Sequence, residues 1–324
     1  MKNDLIALVI ALLKDAGFIV SRRCKACSFD LAARRSDFTL LAKILYNIDG
    51  INGEMARCIK RAAFCLLASP IIVGERRGYL FLEDDVVYNR YGIPAINTHT
   101  LYDYFSEGVS PYVYSTTGGL YVTIDGERMK EAREEKELSL GDLASELGVS
   151  RRSISKYEVG KAGTTIDIAL KIEEILDTML IVPLMLLKHG IEEPLPSEIT
   201  EAGIEESASS LERYILSIME EIGFKIFATA HAPFSAVSLL QSKREAESVR
   251  ILTGISEYSK QMRKRAKILS SLSYVTGTQS VFVVNGSVKR VQIDNTLVME
   301  KEDLKKIRDP EEFTGMIEEK MEEG

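Results

Sequence analysis

The chain has 324 residues, enough for two or three domains of ordinary size. With 45% hydrophobic and 27% charged residues, 22 glycines and 8 prolines, it is neither disordered, collagen-like nor linker-dominated. Lysine and arginine number 41 against 48 acids, a net charge of −7, which excludes a surface that grips nucleic acid everywhere but leaves room for a local basic face. Four cysteines, and an N-terminus without the pattern of a secretory leader, point to a reducing compartment. Apolar stretches such as 175–187 are broken by Asp177 and Pro183 and fall short of the roughly 20 residues of a membrane span. The expectation is a soluble, cytoplasmic protein with no membrane partner.

In chain order, the apolar run from Leu5 predicts a helix stopped by Gly17, with a strand start at Ile19-Val20. Phe38–Tyr46 reads as a strand, Met55-Ala-Arg-Cys-Ile-Lys-Arg61 as part of a basic amphipathic helix, and Pro70–Gly74 as a buried strand. A later strand and helix start fall at Ala95-Ile-Asn-Thr-His99. Aromatic and β-branched residues on either side of Gly118-Gly119 predict a hairpin. Residues 127–179 carry almost no strand signal and read as several short helices. Residues 188–210 are polar, proline-bearing and aperiodic, hence a linker.

The opening pattern then returns. Leu211, Ile215, Ile218 and Gly223-Phe224 align without a gap on Leu5, Val9, Leu12 and Gly17-Phe18. Ser248–Ile255, the basic helix around Met262–Lys267, Ser280–Val284 and Gln292-Ile-Asp-Asn-Thr296 continue the repeat more loosely. Residues 311–324 read as an acidic tail or a frayed helix. The fold class is therefore α/β and multidomain: two duplicated α/β domains at 1–108 and 208–310 flank a helical domain at 126–187. A hairpin connector at 109–125, a linker at 188–207 and a tail at 311–324 complete the chain.

The most informative stretch runs from Arg128 to Lys161. Ser139 is an N-cap ahead of Leu140-Gly-Asp142, and Leu143, Ala144 and Leu147 form one apolar edge. Gly148 permits a sharp turn, Ser150 caps the next helix, and Ile154 and Tyr157 face back into the same small core. Gly160 ends that helix. Two short helices joined by a glycine turn, the second bearing basic residues outside, form the layout that inserts a helix into the DNA major groove.

Residues 127–180 resemble a Cro- and lambda-repressor-like helix-turn-helix domain, with Ala144 at the tight interhelical position, Gly148 in the turn and Ile154 as the buried residue of the second helix. The resemblance implies that Ser150, Arg151, Arg152, Ser153, Ser155 and Lys156 face base edges and phosphates, and that Lys161 meets phosphate. It implies a structural ion pair between Arg133 and Glu158. Leu140-Gly141 stands where the family often has glutamine, and backbone N–H groups at that helix end could still hold a phosphate. With the flanking domains and the hairpin, nearly the whole chain resembles a family of archaeal helix-turn-helix transcriptional regulators.

The flanking domains resemble, in topology, restriction-endonuclease-like domains, whose catalysis needs clustered carboxylates for Mg²⁺ and a nearby lysine. The first copy offers Asp30, Asp37 and Lys43, but Leu41 replaces the acid two residues before the lysine, and the second copy offers neither acids nor lysine across Ile251–Gly254. Both domains are read as degenerate scaffold for dimerisation, sensing or DNA clamping, with Lys43 a solvated strand-end residue. The basic faces Arg57–Arg61 and Arg263–Lys267 are likewise read as solvated. Cys24-Lys-Ala-Cys27 has zinc-like spacing but no second pair, and Cys58 and Cys65 sit in an apolar helix as small hydrophobes. His99, His189 and His231 are scattered, with no Ser-His-Asp arrangement and no phosphate loop. No metal, cofactor or catalytic residue is assigned. The expectation is a non-enzymatic regulator that binds double-stranded DNA as a homodimer; an effector is left open, and the sequence identifies none. Two alternatives stand: a metal-dependent nuclease targeted by the helix-turn-helix, and an adaptor whose helix-turn-helix contacts protein.

Overall fold

The structure is a computed structural model describing residues 2–36, 38–160, 162–187, 201, 203, 208–241 and 248–322. Packing divides the chain into two compact units: Met1–Ile44, Gly50–Ile71 and Lys188–Gly324 in one, Leu45–Asp49 and Ile72–Leu187 in the other. The elements fall into three successive groups along the chain, the first of which contributes to both units.

Helix α1 (Lys2–Asp15) buries Leu5, Ile6, Val9 and Leu13, a spacing of three and four that keeps one face apolar. It stops at Gly17, whose φ of 83° lets Phe18 N–H reach the Leu13 carbonyl at 2.9 Å. Strands β1 (Ile19–Val20), β2 (Leu31–Arg35) and β3 (Phe38–Asn47) are antiparallel, with Leu31 opposite Ala42. Asn52 caps α2 (Gly53–Cys65), and β4 (Ser69–Arg77) follows. β5 (Leu80–Phe81) folds back on β4, while β6 (Val86–Arg90) and β7 (Ile93–Ile96) are antiparallel and β7 lies parallel to β4. Helix α3 (Thr98–Tyr102) starts at Asn97, whose Oδ1 accepts from Thr100 N–H at 2.8 Å.

The middle group begins with β8 (Val113–Thr116) and β9 (Gly119–Ile124), a hairpin turning through Thr117-Gly118; β8 pairs with β6. Helices α4 (Gly126–Glu135), α5 (Leu140–Leu147), α6 (Arg151–Glu158) and α7 (Ile166–Leu176) follow. Two short strands, β10 (Thr164–Thr165) and β11 (Ile181–Val182), both pair with β9. Alternation along β9 turns Val122 and Ile124 inward, where they share one core with Met129, Leu143, Ala144, Ile154, Ile172 and Leu176. The hairpin is thus part of the helical domain and not a connector, and that domain is not purely α. Two-residue strands carry too little alternation to be legible beside strong helix signals.

The third group repeats the first. Helix α8 (Ser210–Ile222) stops at Gly223 (φ 120°), and Phe224 N–H reaches the Met219 carbonyl at 3.0 Å, as Phe18 does with Leu13. β12 (Lys225–Ala228), β13 (Ala236–Leu240) and β14 (Val249–Glu257) are antiparallel; α9 (Lys260–Thr276) crosses over to β15 (Gln279–Asn285), parallel to β14. β16 (Gln292–Ile293) is antiparallel to β17 (Thr296–Glu300), which lies parallel to β15, and α10 (Lys301–Leu304) follows. The true counterpart of Ile93–Ile96 is therefore β17; Gln292-Ile293, the expected strand and helix start, forms the hairpin arm before it.

At the last residues the structure has the helix of the two expected alternatives, packed and not frayed. Pro310–Glu322 is helix α11, with Phe313 and Ile317 wholly buried in the core of the second copy beside Leu216, Phe224 and Val281. Its acids hide a phenylalanine and an isoleucine four apart, the spacing of a docked face. Part of the expected linker is also ordered: Gly203 N–H donates to the Ile226 carbonyl at 2.7 Å, and Gly203 accepts from Ala228 N–H. The rest of 188–207, with His189, lies outside the described residues, apart from position 201.

Within the first unit the two copies share one apolar core, in which Phe29, Leu41, Ala62 and Leu66 meet Phe234, Leu252, Leu269 and Phe282. Arg61 does not lie on a solvated face as expected: Nε donates to the Ala228 carbonyl at 2.5 Å and Nη1 to that of Glu201. Among the described residues no helix is long and apolar enough to cross a membrane. Replacing Phe313 with Ala is expected to cost about 3–5 kcal/mol. Denaturant unfolding of the full chain checks this, and a change under about 1 kcal/mol would return α11 to the status of a tail.

Candidate nucleic-acid interface

The helix-turn-helix segment is built by local capping. Ser139 Oγ accepts from Asp142 N–H at 3.1 Å while Asp142 Oδ2 accepts from Ser139 N–H at 2.9 Å, a reciprocal box that starts α5. The Ser139 hydroxyl and backbone lower the Asp142 carboxyl below its usual range, and Arg151 adds to the effect. Gly148 at φ 68° ends α5, as a C-cap residue without Cβ does at no cost. Ser150 starts α6, accepting from Ser153 N–H at 3.1 Å, and the two hydroxyls are 2.9 Å apart.

Helix α6 buries Ile154 alone, against Leu143, Ala144 and Leu147 of α5. Arg151, Arg152, Ser155 and Lys156 are exposed, and Ser153 is half-buried. Arg151 reaches back over the start of α5, near Gly141. Lys161 lies outside the described residues. The only acid of α6, Glu158, is turned away: Arg133 Nε donates to its Oε1 at 2.6 Å and Nη2 to Oε2 at 3.2 Å, with under a tenth of either side chain exposed. Arg133 Nη1 also caps the Leu138 carbonyl at 2.8 Å. Gly126 escaped the sequence reading. A Cβ there would collide with the Tyr157 and Glu158 carbonyl oxygens, so α4 approaches the end of α6 only because residue 126 has none. Its signal was a glycine directly after an N-cap aspartate.

The nuclease-like centre of the first unit is differently occupied. Lys43 is buried, contrary to the expectation of a solvated strand end: Nζ donates to the Cys27 carbonyl at 2.8 Å and lies 3.7 Å from Asp30 Oδ2. Burial pulls its pKa below the ordinary lysine value, with Asp30 opposing. Asp30 Oδ2 accepts from Ile44 N–H at 2.9 Å, Oδ1 lies 3.6 Å from Lys2, and Leu41 is fully buried where an acid would stand. Asp37 lies outside the described residues. In the second copy, Gly254 stands opposite the Lys43 position, with the Phe282 ring filling the space a Cβ would need. A divalent cation does not fit this donor set, since the carboxylate is already held by an amide and two ammonium groups. Cys24 and Cys27 find no further ligand, and no group of three or more His, Cys, Asp or Glu among the described residues could hold a metal. Burial pushes the Cys65 thiol up to about 12, so it packs as an inert apolar group.

Two short helices about a glycine turn, joined by a buried ion pair to the helix before them and exposing a basic second helix, define a helix-turn-helix protein. Family comparison agrees: residues 129–179 match a helix-turn-helix family and residues 2–111 a PD-(D/E)XK superfamily domain. A protein of Methanococcoides burtonii is 44% identical over 98% of this chain and 97% of its own length. Proteins of Natronomonas pharaonis and Archaeoglobus fulgidus are 41% and 38% identical, each over 99% of both chains. All three are provisionally named HTH-type transcriptional regulatory proteins. The chain belongs to this family of archaeal helix-turn-helix proteins. No solved structure matches it.

Replacing Arg133 alone with Met leaves Glu158 buried without its partner and is expected to cost about 3 kcal/mol, whereas Arg133→Met with Glu158→Leu recovers most of the loss. Chemical denaturation of the four-member cycle checks this, and an unrecovered double variant would refute the pairing as the cause.

Proposed function

We propose that the chain is a sequence-specific DNA-binding transcriptional regulator that works inside the cell as a homodimer, each protomer laying α6 in the major groove. The observation that carries this is the exposed basic face of α6, fixed by caps at its start and by Arg133–Glu158 at its end. Arg151 and Arg152 read base edges, Arg being the side chain that bridges guanine O6 and N7, while Lys156 and Lys161 meet phosphate. Ser150, Ser153 and Ser155 line the same face, the first two also holding the cap. One reading helix per chain calls for a two-fold site with half-sites about one helical turn apart. The domain limits given above, from the α/β domain at 1–108 to that at 208–310, belong to the same reading, with the second α/β domain extended through α11. In this reading the protein catalyses nothing: Asp30 and Lys43 hold each other.

Arg151→Ala with Arg152→Ala is expected to abolish discrimination between a selected site and random duplex, and to flatten the dependence of log K on log salt by roughly one unit for each phosphate no longer engaged. Fluorescence anisotropy across a salt series measures both, and unchanged discrimination would remove these arginines from the reading role. Light scattering on the DNA complex tests the dimer. Plasmid cleavage with Mg²⁺, abolished in Lys43→Ala, would instead establish the nuclease.

A further inference from the structure

The first unit contains a cavity of about 490 Å³ that the DNA-reading face does not use. Its walls come from both copies: Lys2 at the start of α1, Arg23 and Lys25 in the loop after β1, Lys43 on β3, and His231 from the loop between β12 and β13. The Ser28 N–H donates to the His231 carbonyl at 2.6 Å, which ties the two loops together. Four of these, Lys2, Arg23, Lys25 and Lys43, are cationic against one lining acid, Asp30, which accepts from the Ile44 amide and pairs with Lys2 and Lys43, leaving Arg23 and Lys25 unopposed among the lining residues. Glu54, 3.6 Å from His231, is largely exposed. An excess of positive charge is gathered into a cavity of a protein whose net charge is −7.

Two donors beside the cavity are not fully used. Arg23 Nη1 donates to Asn3 Oδ1 at 2.8 Å, yet its Nε is buried with no acceptor, a costly state for a guanidinium donor. Lys43 has 6% of its side chain exposed and uses the Cys27 carbonyl and Asp30, which leaves a third ammonium donor. The volume falls within the roughly 300–1,000 Å³ of small-molecule sites. A double helix is far too wide to enter, whereas a free phosphate or diphosphate group fits, and Arg is the side chain that binds such groups with two parallel hydrogen bonds.

We propose that this cavity is a binding site for a small phosphorylated molecule, whose phosphate or diphosphate group is held by Arg23, Lys25, Lys2 and Lys43. Its role as effector site rests on the regulator reading above; the anion site itself does not. The nuclease-like centre has in effect changed sign: where such a centre collects a cation with acids, this one collects an anion with cations.

The test uses the full chain, free of divalent ions and DNA, titrated with inorganic pyrophosphate by calorimetry. Saturable binding is expected, weakened about tenfold or more by Arg23→Ala, since each charged hydrogen bond removed is worth that factor or more. Lys25 is exposed, so Lys25→Ala keeps the fold should Arg23→Ala not, and it is expected to weaken binding in the same direction. Pyrophosphate is also expected to slow alkylation of Cys27, which lines the cavity. No saturable heat, or binding indifferent to both variants, overturns the proposal. So does equal weakening by Arg151→Ala with Arg152→Ala, which would place the anion on α6, and so does displacement of pyrophosphate by short duplex DNA in that double variant, where coupling through α6 is gone and the cations of the cavity would be a backbone contact. Should α6 fail to read DNA while pyrophosphate still binds as described, the regulator reading falls and the anion site stands.

Discussion

The buried pair of Arg133 and Glu158 is the constraint on which the candidate interface depends. Helix α6 has eight residues, of which Ile154 is fully buried and Tyr157 partly buried against the same core, a small apolar hold when one buried isoleucine is worth roughly 1.5–3 kcal/mol. Two charge-assisted hydrogen bonds to α4, with Gly126 allowing its backbone to touch the end of α6, supply the remaining hold. The same pair settles the electrostatics, because it removes the one acid of α6 from the face that carries Arg151, Arg152 and Lys156. Position and charge are thus set by one interaction, and the basic side chains of that face point outward.

The duplicated α/β domains show how one plan diverges once its parts pack differently. Both copies stop their first helix with a positive-φ glycine and a phenylalanine amide bonded back to the helix, and both place three antiparallel strands before a crossover helix. At the position that matters chemically they part. Lys43 in the first copy faces a cavity, whereas Gly254 in the second makes room for Phe282, which helps to fill the core the copies share. One position is taken up by packing, and the other carries a charge without the acid partner that would suit a metal.

The parts of this arrangement legible in the sequence were those fixed by near neighbours. Ser139, Gly148 and Ser150 announce their helix ends within four residues, and the helix-to-strand step at Gly17-Phe18 announces its repeat at Gly223-Phe224. Features that depend on distant chain were not legible. Lys43 reads as a surface lysine until Asp30 and the Cys27 carbonyl, more than ten positions away, engage it in the fold. The two-residue strands β10 and β11 exist only because β9 offers them an edge. Helix α11 has the composition of a tail, and what distinguishes it from one is the hydrophobic face waiting on the second copy. Arg61 reads as a solvated cation because nothing local reveals that Ala228, 167 positions away, will accept its hydrogen bond.

The acidic total is compatible with an anion-seeking protein because charges act over short distances. At physiological salt the screening length is about 8 Å, so acids farther away than this scarcely weaken the field at α6. What decides affinity for a phosphate is the balance within that radius, and on α6 itself the balance is positive once Glu158 is paired. The same holds more strongly in the cavity of the first unit, where Lys43 and Asp30 are buried and Asp30 alone among the lining residues opposes Lys2, Arg23, Lys25 and Lys43. The two proposed anion-binding places can therefore coexist in a chain whose charge sum is negative, one suited by its exposure to a long polymer and the other by its concavity to a small molecule.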